Sequence, residues 1–138
     1  MNIPEPAVTE AIGVSLVSGD AIIRHARQLV LRSENYDVRS YATCAALLAD
    51  PQSRDFACIV LDIEMNDDES VALLREMRAT GWRGSAILLV GQDADGDYVR
   101  EAEKHGDRVM QRSIGDTSLV EAISASVGRG WSGWNAAG

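Results

Sequence analysis

Carboxylates are the residues of this chain with the most chemistry to offer, and one of them stands apart by its position. Asp62 ends the unbroken apolar run Cys58-Ile59-Val60-Leu61, which follows the polar turn Pro51-Gln52-Ser53-Arg54-Asp55. A short apolar run containing β-branched residues, opened by a turn and cut off by a charge, reads as a strand buried on both faces. Its last residue then lies at the carboxyl tip of a parallel sheet, where loops line a crevice and ligands collect. Asp62 is therefore the first candidate for a reactive group.

Other clusters carry less. Asp93-Ala94-Asp95-Gly96-Asp97 has the acids of a calcium loop, but its Gly stands fourth rather than sixth, and Lys104 stands twelfth, where a bidentate Glu is needed. It reads as an exposed acidic loop. Asp67-Asp68-Glu69 reads as the start of a helix, where negative charge is favourable. His25 and His105 have no Cys-x-x-Cys to complete a zinc site. Cys44 and Cys58 sit among apolar residues and read as reduced core thiols. The chain has neither a Gly-rich phosphate loop nor a Ser-His-Asp set at usable spacing, so it does not read as a self-sufficient enzyme.

With 138 residues, 46% of them hydrophobic, the chain can bury one good core but not two. A net charge of −8 argues against unaided binding to nucleic acid or to an anionic membrane. Lysine occurs once, as Lys104, and the arginines are scattered. The longest apolar runs are far shorter than the roughly 20 residues that span a bilayer. The first residues lack the charged-then-apolar form of a signal peptide, so a cytoplasmic protein is expected.

The elements that must position Asp62 follow from periodicity. Residues 14–17 form a first strand closed by Ser18-Gly19, and Asp20 stands as an N-cap. Over 21–31, Ile22, Ile23, Ala26, Leu29 and Val30 recur at helical spacing, with Arg24, Arg27 and Arg32 on the other side. A weak edge strand at 36–41 precedes a helix at 44–50 capped by Thr43. After the central strand come an acidic loop at 64–69, a helix at about 70–80 ended by Gly81, and an apolar strand at 86–90. A helix at 98–104 stopped by His105-Gly106, a weak strand at 108–110, and a helix at 118–127 capped by Asp116 or Thr117 complete the series. Residues 1–11, with Pro4 and Pro6, read as a loose arm. Residues 128–138 form a Gly-rich tail whose Trp131 and Trp134 either anchor an interface or belong to a plain linker. Five βα repeats with short, right-handed connections give one α/β domain at 12–127, a five-stranded parallel sheet with helices on both faces.

Residues 12–127 resemble a response-regulator receiver domain of two-component signalling, with its flavodoxin-like (βα)5 fold. The resemblance rests on Leu61-Asp62-Ile63-Glu64-Met65, on Val71-Ala72-Leu73-Leu74-Arg75 after it, and on Glu103-Lys104-His105-Gly106 before the last strand. It implies that Asp62 is the phosphoacceptor. A carboxylate attacking a phosphoryl group approaches an anion, so that chemistry needs a divalent cation, Mg²⁺, held by carboxylates and water. Domains of this family supply two acids after the first strand, a Thr or Ser at the end of the fourth, an aromatic in the fifth, and a Lys followed by a cis-Pro. Here those positions fall on Ser18-Gly19, Val90, Val109 and Arg112-Ser113; the Pro expected after Met65 is Asn66, and the later Gly is Ser70.

The resemblance thus implies a degenerate member. Two residues can compensate: Asp20, either an N-cap or a carboxylate swung toward Asp62, and Arg112, which either contacts a phosphate or pairs with Asp62 itself. Asp20, Asp62 and Glu64 together would make an improvised metal site. Deleting one preorganised charge-stabilising group commonly costs about 10²–10³ in rate, so phosphorylation at Asp62 is expected to be weak or lost. The function then rests on protein contacts. By the same resemblance the partner face is 99–127, with Val99, Val109, Arg112, Leu119 and Ile123, and the partner is a histidine kinase, a transcription factor or a second receiver. A homodimer is expected. The alternative is a working phosphoacceptor in a kinase relay; from a different class, a small hydrolase or a flavin-binding protein shares this fold.

Overall fold

The computed structural model describes residues 11–62, 68–92 and 96–129. In them β1 (Gly13–Ser18), β2 (Asp37–Tyr41), β3 (Cys58–Asp62), β4 (Ser85–Val90) and β5 (Arg108–Gln111) make one parallel sheet in the order β2-β1-β3-β4-β5. The connecting helices are α1 (Ala21–Ser33), α2 (Cys44–Ala49), α3 (Asp68–Ala79), α4 (Gly96–Lys104) and α5 (Asp116–Arg129). A 3-10 turn at Pro51–Asp55 leads into β3. This is the five-stranded parallel sheet expected from the βα repeats, in the flavodoxin-like architecture that the resemblance implied.

Local chemistry sets the helix ends. Asp20 Oδ1 accepts the N–H groups of Ile22 and Ile23 at 2.9 and 3.1 Å, and Thr43 Oγ1 accepts that of Ala46 at 3.1 Å. These side chains satisfy donors that have no partner within the helix. α3 and α4 stop at Gly81 (φ 99°) and Gly106 (φ 89°), where the chain turns through the left-handed region. α5 begins at Asp116, so Asp116 and Thr117 are helical residues rather than caps.

β3 lies between β1 and β4, and every one of its residues is buried. Side chains alternate across a strand. Ile59 and Leu61 therefore join Val17, Leu47, Leu73, Leu74, Met77 and Trp82 on one face. Cys58 and Val60 join Leu16, Leu31, Ile87, Leu89, Leu119 and Ile123 on the other. Each such aliphatic side chain contributes about 1.5–3 kcal/mol when fully buried. The same alternation sends Asp62 to the face covered by α1 and α5. Burial also pushes the Cys58 thiol up to about 12, and both cysteines are free.

Three expectations are corrected by this packing. Leu119 and Ile123, expected on a partner face, are only 1% and 0% exposed, because α5 turns them onto the sheet. On α1 the expected core stripe is rotated outward: Ile22 is 82% and Leu29 54% exposed, while Leu31 is buried. The arginines of α1 consequently turn toward the sheet. Val99 and Val109 are half-buried, and Val109 packs against the first core. Among the described residues no helix is long and apolar enough to cross a membrane. Glu64, Asn66, Asp93, Asp95, Trp131, Trp134 and most of the N-terminal arm lie outside the described residues.

Candidate functional site

Register brings the site together. Asp62 is opposite Ser18 at the end of β1 and Leu89 near the end of β4. Its side chain is fully buried, yet it carries two cationic neighbours. Arg112 Nε donates to Oδ1 at 2.6 Å. Arg27 Nε lies 3.3 Å from Oδ2. A carboxylate removed from water needs such partners, and a hydrogen bond between ionised groups is among the stronger ones.

Arg112 is itself held at three points. Besides its bond to Asp62, its N–H donates to Val90 O at 2.7 Å, and its carbonyl accepts from Arg27 Nη2 at 3.2 Å. Arg24 Nη1 donates to Ser18 O at 2.8 Å. The sheet tip is thus closed by arginines from α1 and from the connection between β5 and α5. Arg112 pairs with Asp62, one of the two roles its position in the sequence allowed. Arg27 was missed, having been assigned to the outer side of its helix. A signal existed: Arg24, Arg27 and Leu31 stand three and four residues apart on one face, so the buried Leu31 carries both arginines toward the sheet.

The remaining candidates fall elsewhere. Asp20 is exposed, and its Oδ1 is occupied as the α1 cap, the structural role rather than the metal-binding one. Ser18 is buried, with its hydroxyl 3.4 Å from Asp20 O. Val90 and Val109 bring no polar side-chain atom. A magnesium ion demands an octahedron of oxygen ligands. The described residues around Asp62 do not fit it, since they present guanidinium groups and a serine, and among the described residues no three of His, Cys, Asp and Glu gather at one point.

A second buried ion pair lies at the opposite end of the strands, where the chain enters β5. Arg78 Nη1 of α3 is 2.7 Å from Asp107 Oδ1, just before β5, and the Trp82 ring covers the guanidinium at 5.5 Å. Burial holds the Asp107 carboxyl above its ordinary value, with Arg78 opposing.

Residues 14–124 match the family described as response regulator receiver domain. The chain belongs to that family. The receiver is similar to the transcriptional regulatory protein FixJ of Azorhizobium caulinodans, 28% identical over 121 residues, covering 87% of this chain and 57% of that protein. It is also similar to the transcriptional regulatory protein PmrA of Pectobacterium parmentieri, 23% identical over 114 residues, covering 83% of this chain and 51% of that one. The chain therefore spans about half the length of these curated relatives. In fold it resembles a CheY-like receiver domain protein from Methanospirillum hungatei JF-1, with a TM-score of 0.77 and 21% identity over 87% of this chain and 96% of that one. At that identity the likeness speaks for the fold alone.

Proposed function

We propose that this receiver domain, residues 12–127 between two flanking segments, acts mainly by binding other proteins, with phosphorylation at Asp62 weak or lost. The observation that supports this reading is the fully buried Asp62 side chain held between Arg112 and Arg27. A phosphoryl donor must approach a carboxylate oxygen in line, and both oxygens face guanidinium groups. Positive charge is ample at the site; among the described residues, access and metal ligation are what it lacks.

The partner is a histidine kinase, a transcription factor or a second receiver, in keeping with the contacts receiver domains make. Val99, Val109, Arg112 and the outward residues of α5 would line the contact, and a homodimer is part of the proposal. The names of the relatives, both transcriptional regulatory proteins, favour a role in transcription control. The acidic balance of −8 favours a cytoplasmic protein partner over nucleic acid or an anionic membrane.

One observation favours a second reading. Arg112 stands beside the oxygen that would carry a phosphoryl group, and after the cluster opened its planar fork could hold the phosphate instead. Asp62 would then be a working phosphoacceptor in a kinase relay, with Asp20 and Glu64 offered to Mg²⁺. The deciding experiment is the intact mass of the full chain after incubation with a small phosphodonor and Mg²⁺, run beside Asp62→Ala. The proposal expects folded parent protein without an adduct. A phosphate adduct on the parent and not on Asp62→Ala establishes the relay reading.

A further inference from the structure

Among its residues α4 buries only Ala102, and its packing on the sheet is mainly against β5. It is also tied to α3 at two points. In the first turn of α3, fully buried Ser70 places its Oγ 2.5 Å from the hydroxyl of Tyr98, in the first turn of α4. In the last turn of α3, Arg78 meets Asp107 at 2.7 Å. Asp107 belongs mechanically to α4, because its N–H donates to Ala102 O at 3.1 Å and that of Gly106 donates to Glu103 O at 3.0 Å. Each end of α4 is therefore fastened to the corresponding end of α3. Between the fastenings, Leu73, Leu74 and Met77 share one apolar layer with Tyr98 and Ala102.

One fastening would leave α4 free to pivot; two fix both its position and its rotation. α3 is also the helix that follows Asp62 in the chain. We infer that α3 and α4 move as one body, and that the Ser70–Tyr98 hydrogen bond delivers to α4 any displacement arising at the Asp62 end of α3. Val90 and Val109 have no polar side-chain atom with which to offer a parallel route through the sheet. The arrangement holds whether or not Asp62 takes a phosphoryl group.

The test perturbs one end and reads the other. In the full chain, Asp62→Asn removes the charge at nearly constant shape, and backbone amide resonances report the response of 96–104. They are expected to shift in Asp62→Asn, and that shift should fall several-fold when Tyr98→Phe or Ser70→Ala is added. Resonances of α1 and of Arg112, which adjoin Asp62 directly, should respond equally with and without the second substitution. Absence of any α4 response to Asp62→Asn overturns the inference, as does a response that Tyr98→Phe leaves undiminished. Should Asp62→Asn not fold, Arg27→Gln disturbs the same carboxylate and the same outcomes decide. A phosphate adduct, which would overturn the proposed function, has no bearing on this readout.

Discussion

Two aspartates of this receiver are buried beside guanidinium groups, Asp62 at the carboxyl end of β3 and Asp107 just before the amino end of β5, and the two sites solve the problem differently. Asp62 has Arg112 and Arg27, which are 24% and 11% exposed and so keep contact with water. Asp107 meets Arg78, whose side chain is only 6% exposed and lies against Trp82. At the dry pair desolvation outweighs attraction, and the Asp107 carboxyl is held above its ordinary value. The two pairs differ both in the number of cations and in the access of those cations to water.

The largest effect expected from that contrast is the loss of Asp107. Asp107→Ala takes the carboxylate away from a guanidinium that is only 6% exposed, and should lower the free energy of unfolding by about 3–5 kcal/mol in urea titrations. Asp62→Ala should cost less, about 1.5–3 kcal/mol, because Arg27 and Arg112 can swing outward and rehydrate. A larger cost for Asp62→Ala than for Asp107→Ala would break the comparison.

A smaller effect lies in pH. The folded value of Asp107 is raised above the unfolded one, so the stability linked to it is full below the unfolded value and is lost as pH rises through the folded value. Parent stability minus that of Asp107→Asn should therefore fall as pH rises through the acid range. A difference that is flat or rising removes the claim that desolvation wins there. Smaller again is the response of Tyr41, whose hydroxyl donates to Asp50 at 2.7 Å and is pushed up to about 12 by burial first and Asp50 second. Its contribution is full below pH 10 and is lost between 10 and about 12. Ultraviolet titration of tyrosinate should show a late-titrating group that Tyr41→Phe abolishes.

The succession of elements along the chain, the sheet covered on both faces and the place of Asp62 could be read from the sequence because each follows from periodicity and turn chemistry. The short polar signals of Asp20 and Thr43 likewise sufficed for two caps. The rotation of α1 could not be read that way. Its apolar residues Ile22, Ala26 and Leu29 form a regular stripe, and the one local counter-signal, Leu31 on the face of Arg24 and Arg27, is outnumbered by it. What turns the helix is a long-range attraction, Asp62 for Arg27 and the Arg112 carbonyl for the same guanidinium. For the same reason Leu119 and Ile123 looked like partner contacts: family position suggests a face, whereas burial depends on which side of α5 meets β3 and β4.

The strand order also schedules the making of the site. β2, β1 and β3 are adjacent and come from the first half of the chain, whereas Arg112 follows the last strand. A ribosome adding about 5–20 residues per second needs seconds to travel from Asp62 to Arg112. Early in that interval, until β4 (Ser85–Val90) is made, the nascent sheet ends at an apolar β3 edge, an open template for other strands. Its carboxylate has Arg27 already synthesised but not Arg112. The bond that closes the sheet tip is thus among the last to become available, and a nascent chain stopped before residue 112 would carry Asp62 in its most accessible form.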